Sequence, residues 1–110
     1  MEQLKIDPSS FNVNNNLAFI LFDNEDYPAA LKHWEQALLT SPGEADACAG
    51  KAAALHTLGR DEEALSCYRM AVTSNPEYLD EEMMRNKYLW SEKAIGSVKG
   101  FIAELKEKIV

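Results

Sequence analysis

Apolar residues recur at three- to four-residue intervals over most of the chain. Leu17, Ala18, Leu21 and Phe22 form one set, and Ala30, Leu31, Trp34, Ala37 and Leu38 form a second. That interval marks one face of a helix. Asp23-Asn24-Glu25-Asp26-Tyr27-Pro28 separates the two sets, and Pro28 stands where the second helix opens, a position at which a missing N–H costs no hydrogen bond. The next stretch breaks at Gly59-Arg60-Asp61, and Asp61-Glu62-Glu63 then places negative charge on a helix N-terminus. Pro42-Gly43 and Asn75-Pro76 stop the second helices. Each unit therefore predicts a helix, a tight turn and an antiparallel helix. The predicted spans are 11–23, 28–41, 45–58, 61–75, 79–91 and 94–109.

The units repeat. Pro8, Pro42 and Pro76 stand 34 residues apart, and at the same offset Ala18 maps onto Ala52, Leu21 onto Leu55 and Ala30 onto Ala64. Leu31 maps onto Leu65, Trp34 onto Tyr68 and Ala37 onto Ala71. A fixed period of this length is the mark of stacked helix pairs. Small residues at a crossing let two backbones approach, and a large aromatic fills the space beside them. One pair cannot bury both of its faces, so the pairs must stack.

These residues resemble the tetratricopeptide repeat family. The small positions Ala18/Ala52, Ala30/Ala64 and Ala37/Ala71, the aromatics Trp34 and Tyr68, and the closing Pro42 and Pro76 all fall in its pattern. Gly-Arg-Asp-Glu-Glu-Ala-Leu, from Gly59, matches its inter-helix turn, and the likeness is strong over residues 11–76. The first unit departs from it, with Asn14 for an aromatic and Glu25 for a glycine. The second has Cys48 for an aromatic and Lys51 for a leucine. The resemblance implies an all-α fold: a right-handed α-solenoid of about six helices in antiparallel pairs.

In this reading residues 11–44 and 45–78 are two repeats, and 79–110 is a degenerate third with a capping helix. Leu89, Val98, Ile102 and Leu105 keep the register, but Asn86 replaces an alanine and no proline closes the unit. Ile95, Val98, Ile102, Leu105 and Ile109 make one apolar stripe with Phe101 beside it, as the end of a solenoid requires. Residues 1–10, with Pro8 in register, read either as a vestigial cap or as the tail of a preceding repeat in a longer array.

Composition narrows the function. Eleven basic against eighteen acidic residues give a net charge of −7, which repels nucleic acid and anionic lipid. The two cysteines are too few for a disulfide scaffold. The start of the chain has no apolar core of a signal peptide, and the longest apolar run, Leu17–Phe22, is far short of a membrane span. A cytoplasmic protein without nucleic-acid or membrane partners is expected.

No catalytic or metal site emerges. Cys48 and His56 lie eight residues apart on one helix, about 12 Å along its axis, and cannot share an ion. His33 and Cys67 stand at equivalent positions on successive second helices, about one helix spacing apart at best, and no CxxC or HxxxH pair exists. The carboxylates of Glu62-Glu63 and Asp80-Glu81-Glu82 occupy helix starts, with no nucleophile or base beside them. No cofactor is expected.

The resemblance also implies a concave surface lined by the first helix of each pair. By register it takes Asn12, Asn15, Asn16, Phe19 and Phe22 from the first pair. Asp46, Ala49, Gly50, Ala53 and His56 come from the second, and Asp80, Met83, Met84, Lys87 and Trp90 from the third. The peptide-binding set is Asn12, Asn15, Asn16, Phe19, Phe22, Ala49, Ala53, His56, Met83, Met84, Lys87 and Trp90. Its aromatic and methionine residues exceed what a solvated face needs and suit recognition of a partner. The competing expectation is that Trp90 and one methionine pack under the last helix and leave a smaller patch. A carboxylate clamp for acidic chaperone tails is excluded, because Asn15, Phe19, Gly50, Asp80 and Met84 hold its five positions and Asp80 reverses a charge.

The expected function is non-catalytic: a protein–protein interaction module that takes a peptide or partner helix in its groove, the ligand flanked by basic residues. The alternative is a structural scaffold that self-associates into a homo-oligomer through Leu17 or Ile20 of an uncapped first helix, or a fragment of a longer array; the expected state is a monomer or weak homodimer.

Overall fold

The computed structural model describes residues 10–109, so the reading of 1–10 lies outside the described residues except at Ser10. Six α-helices run through them with no strand: α1 (Phe11–Asp23), α2 (Tyr27–Thr40), α3 (Ala45–Thr57), α4 (Asp61–Ser74), α5 (Glu81–Asn86) and α6 (Glu92–Ile109). A 3-10 turn, Pro76–Leu79, precedes α5. The fold is all-α, as the periodicity predicts.

Local chemistry sets the boundaries. Ser10 caps α1 through its hydroxyl, Asp26 caps α2 just before Pro28, and Asp80 caps α5 with hydrogen bonds from the N–H groups of Glu82 and Met83. The two turns inside the pairs share one geometry. Gly59 has φ +80°, and the Arg60 N–H closes back on the Leu55 carbonyl at 2.9 Å. Glu25, its register equivalent, has φ +67°, with the Asp26 N–H on the Leu21 carbonyl at 2.9 Å. The missing glycine of the first unit is thus replaced by a strained glutamate, not by a different turn.

α1 packs on α2, and α3 on α4, as the two most extensive contacts, and α2 joins the pairs through α3. Ala18, Ala30, Ala37, Ala52, Ala64 and Ala71 are all fully buried. The alanine positions of the repeat are therefore helix-crossing positions. Substituting leucine at Ala64 or Ala30 is expected to cost about 1–3 kcal/mol by overpacking. Parent-like melting of both variants, followed by circular dichroism, would remove those residues from the crossings.

The central helix α3 is covered on every side. Ala45, Ala47–Leu55 except Lys51 are buried, and a helix apolar all round is one enclosed by others. Its neighbours are α2, α4, α6 and, less extensively, α1. The alanines and Gly50 keep α3 thin enough for this. An added Cβ at Gly50 would lie 2.3 Å from Trp34 Cε2, so the indole of α2 rests directly on the α3 backbone. One repeat later the same pairing recurs: the Tyr68 hydroxyl lies 3.5 Å from Met84 Sδ, and Met84 is the register equivalent of Gly50. The 34-residue period is thus a period of contacts as well as of residues.

The third unit departs from the expected pair. The helix predicted over 79–91 is instead the 3-10 turn, the six-residue α5 and an irregular stretch from Lys87 to Ser91. Leu89 takes φ +61°, and the Trp90 N–H turns back to the Met84 carbonyl at 2.9 Å. Leaving the helix brings Trp90 inward, where Asp46 and Phe19 receive it. α6 then packs chiefly on α3, and meets α5 over a small area only. Its start is capped by Ser91, whose Oγ accepts from the Ala94 N–H at 3.1 Å. Its buried stripe is Ala94, Ile95, Val98, Phe101, Ile102 and Leu105.

Candidate functional site

The face presented by α1 and α3 is organised by one carboxylate. Asp46, in the first turn of α3, accepts three neutral donors from three other parts of the chain. Asn15 Nδ2 of α1 donates to its Oδ2 at 2.9 Å. The Tyr78 hydroxyl of the 3-10 turn and Trp90 Nε1 both donate to its Oδ1, at 2.6 and 2.8 Å. Asn15 in turn accepts from Trp34 Nε1 at 2.9 Å. A continuous polar chain therefore crosses the two repeats and reaches the start of the C-terminal segment. No buried side-chain nitrogen or oxygen lacks a partner among the described residues.

Aromatic rings surround this chain. Phe19 meets Trp34 edge-on with centroids 4.9 Å apart, and meets Trp90 in the same manner at 5.1 Å. Tyr78 stacks on Tyr88 at 5.0 Å and meets Trp90 at 6.1 Å. Farther along, Phe101 of α6 meets His56 edge-on at 5.5 Å and tilts against Tyr68 at 6.1 Å. Polar ties fix the start of the C-terminal segment to the end of α1. Ser91 Oγ donates to Asp23 at 2.7 Å, and Lys93 Nζ to Glu25 at 2.5 Å. α6 thus begins beside the C-terminal end of α1 and reaches that of α3 by Phe101.

The twelve residues of the expected groove divide into three groups. Asn15, Phe22, Ala49, Ala53, Met84 and Trp90 are buried. Phe19 and Met83 are half-buried, and Asn12, Asn16, His56 and Lys87 are exposed. Phe22 packs inward, on Tyr27 and Trp34. Gly50 and Met84 meet the aromatic of the preceding second helix, so that register position joins repeats. His56 pairs with Asp61 at 2.8 Å, and Lys87 pairs with Glu77 at 3.0 Å. Of the self-association residues, Leu17 is half-buried and Ile20 is 58% exposed.

The pattern along the chain gave no sign of Tyr78, Phe101, Asp23 or Glu25 as contributors to this face. Their partners lie up to 68 residues away, and none of the four stands at a first-helix position used to find the groove. Asp46 was placed on the face by register, but its three donors come from outside its own pair.

Burial raises both the Cys48 and the Cys67 thiol above the usual range, which disfavours the reactive thiolate. Beside the acidic turn Gly59–Glu63, Arg60 is already held by both Glu63 oxygens at 2.8 and 3.0 Å. Among the described residues no group of three or more His, Cys, Asp or Glu is placed to hold a metal ion, and no helix is long and apolar enough to cross a membrane.

The buried phenols give the face a pH signature. The Tyr68 hydroxyl donates to the Tyr78 carbonyl at 2.6 Å, and burial pushes its pKa far above the ordinary tyrosine value. Burial first, and then the Asp46 carboxylate, push Tyr78 in the same direction. The unfolded chain ionises these phenols near pH 10, whereas the folded chain keeps them neutral. Their contribution is therefore complete below about pH 10 and is lost above it. Thermal melts are expected to fall from about pH 10 upward, by about 1.4 kcal/mol per pH unit for Tyr68. Tyr68→Phe should show a shallower alkaline fall than the parent, and an equal fall would place that titration elsewhere.

A family model described as tetratricopeptide repeat matches residues 21–83. Comparison with curated proteins gave no match.

Proposed function

The chain belongs to the tetratricopeptide repeat family, and on that premise we propose that it is a non-catalytic protein–protein interaction module whose ligand is a peptide or helix held on the face of α1 and α3. The observation that supports this reading most is that the face accommodates a helix. The apolar stripe of α6 lies on it, with Trp90 against Phe19 and Phe101 against His56. An aromatic anchor in a pocket with a satisfied polar chain beneath it has the makeup of a binding hot spot. The accessible members of the set are Asn12, Asn16, Phe19, His56, Met83 and Lys87. An acidic host with these residues suits a ligand flanked by basic side chains, in keeping with the net charge of −7.

The exposed members allow a clean test. Asn12→Ala, Asn16→Ala and Lys87→Ala remove exposed side chains that contribute little to stability, the Lys87–Glu77 ion pair being exposed as well. A partner captured with the full chain should bind the triple variant at least tenfold more weakly, about 1.4 kcal/mol, at an unchanged melting temperature. Undiminished binding would move the interaction surface off this face.

A further inference from the structure

The C-terminal segment is bound to the rest of the chain in the manner of a ligand. Trp90 enters first, 4% exposed, with its Nε1 on Asp46 and its ring against Phe19 and Tyr78. A buried stripe, Ile95, Val98, Ile102 and Leu105, follows at helical spacing. At its edges Lys93 pairs with Glu25 and Lys99 with Glu81, at 2.5 and 3.9 Å, while Glu92 pairs in the opposite sense with Arg85. Charge divides at the same place. Before Glu92 the chain carries seven basic and fifteen acidic residues, and from Glu92 onward four and three. The segment is thus a near-neutral amphipathic helix lying on a strongly acidic body. It is joined to that body by a bend whose apex, Leu89, is 80% exposed with φ +61°.

Resting on the reading of this face as a protein-binding face, we propose that segment 90–109 is a built-in ligand, and that the external partner is an amphipathic helix of the same design with basic residues at the same two edge positions. The partner carries a ring N–H donor ahead of its apolar stripe and takes the segment's place, with that N–H on Asp46 and its basic residues beside Glu25 and Glu81. Exchange is balanced, because each buried contact given up by the segment is remade by the partner. The tether holds the segment at an effective concentration of the order of millimolar, so the partner binds the resting chain more weakly than its contacts alone would give. The bend at Leu89 is where the segment swings away, since its exposed side chain makes no buried contact that opening must break.

The test uses the full chain and a labelled synthetic peptide of residues 87–109. In the Trp90→Ala chain the resident segment lacks its indole, and the peptide supplies one. Fluorescence anisotropy should show the peptide binding this chain at least tenfold more tightly than the parent. A peptide carrying its own Trp90→Ala, or Lys93→Glu with Lys99→Glu, should lose at least tenfold. If Trp90→Ala loses its helical circular dichroism, the Val98→Ala chain, shortened at one fully buried position of the segment's stripe, takes its place with the same expectation. Three results would overturn the proposal: no saturable binding to a folded variant up to millimolar peptide, equal binding with and without the indole, or a parent chain that light scattering shows to be a dimer, which would assign the face to a second copy's segment. Loss of partner binding in the Asn12/Asn16/Lys87 variant together with any of these would keep the interaction face and remove only the proposed ligand and its regulation.

Discussion

Gly50→Ala is expected to destabilise the protein by about 3 kcal/mol, the upper part of the range for overpacking. Helix propensity alone predicts the opposite sign, since alanine is favoured over glycine inside a helix by about 1 kcal/mol. Packing decides. The new Cβ would stand 2.3, 2.5 and 2.6 Å from Trp34 Cε2, Cζ2 and Nε1, distances no real contact sustains. The indole cannot yield, because Trp34 is fully buried, donates to Asn15 and is flanked by Phe19 and Phe22. Either the α2–α3 joint opens or the hydrogen bond to Asn15 is lost. Gly96→Ala is the control. It also lies inside a helix, but nothing stands within 4 Å of its added Cβ, so it should stabilise by about 0.5–1 kcal/mol. Urea denaturation of both variants reads the two signs directly. Equal stability of Gly50→Ala and the parent would mean that Trp34 does not rest on α3.

How far the sequence carries can be judged from this contact. The fold class and the first four helices were legible because alanines and aromatics recur at a constant period, and local signals such as Pro28 and Gly59 mark the boundaries. The predicted span 11–23 agrees with α1, and those of α2, α3 and α4 agree within one residue. Register places Gly50 on the concave surface and as a mismatch to a chaperone-tail clamp, but not in a helix joint, because that role depends on a tryptophan of the preceding helix. The third unit was misread for a related reason. Residues 79–91 have the apolar spacing of a helix, but Trp90 gains more from Asp46 and Phe19 than the chain loses by breaking helix at Leu89. Periodicity reports what a segment does alone, and tertiary contact overrode it here. The same holds for the face. Register locates the first-helix residues, but the placement of α6 over α3 follows from contacts across tens of residues.

Asp46→Ala is expected to cost about 3–5 kcal/mol, as much as any single loss in the core. The group removed is one half-buried carboxylate, but it is the shared acceptor for Asn15, Tyr78 and Trp90. Each stranded buried donor costs about 1–3 kcal/mol, and hydrogen bonds to an ionised acceptor stand at the strong end. The three losses will not add fully, since Asn15 and Trp90 can turn toward water once the acceptor is gone. Asp46→Asn separates charge from shape. It keeps one acceptor oxygen for two donors, but presents an amide N–H to the third, so it should lose roughly half as much. Location matters as well as magnitude. Asp46 ties α1, α3, the 3-10 turn and the C-terminal segment together, so its removal should loosen the last of these before the first two pairs. Hydrogen exchange on Asp46→Asn should therefore show lower protection at 92–109 and near-parent protection in α3 and α4. A uniform loss across all six helices would make Asp46 a general stabiliser, not the joint between the repeats and the helix that covers them.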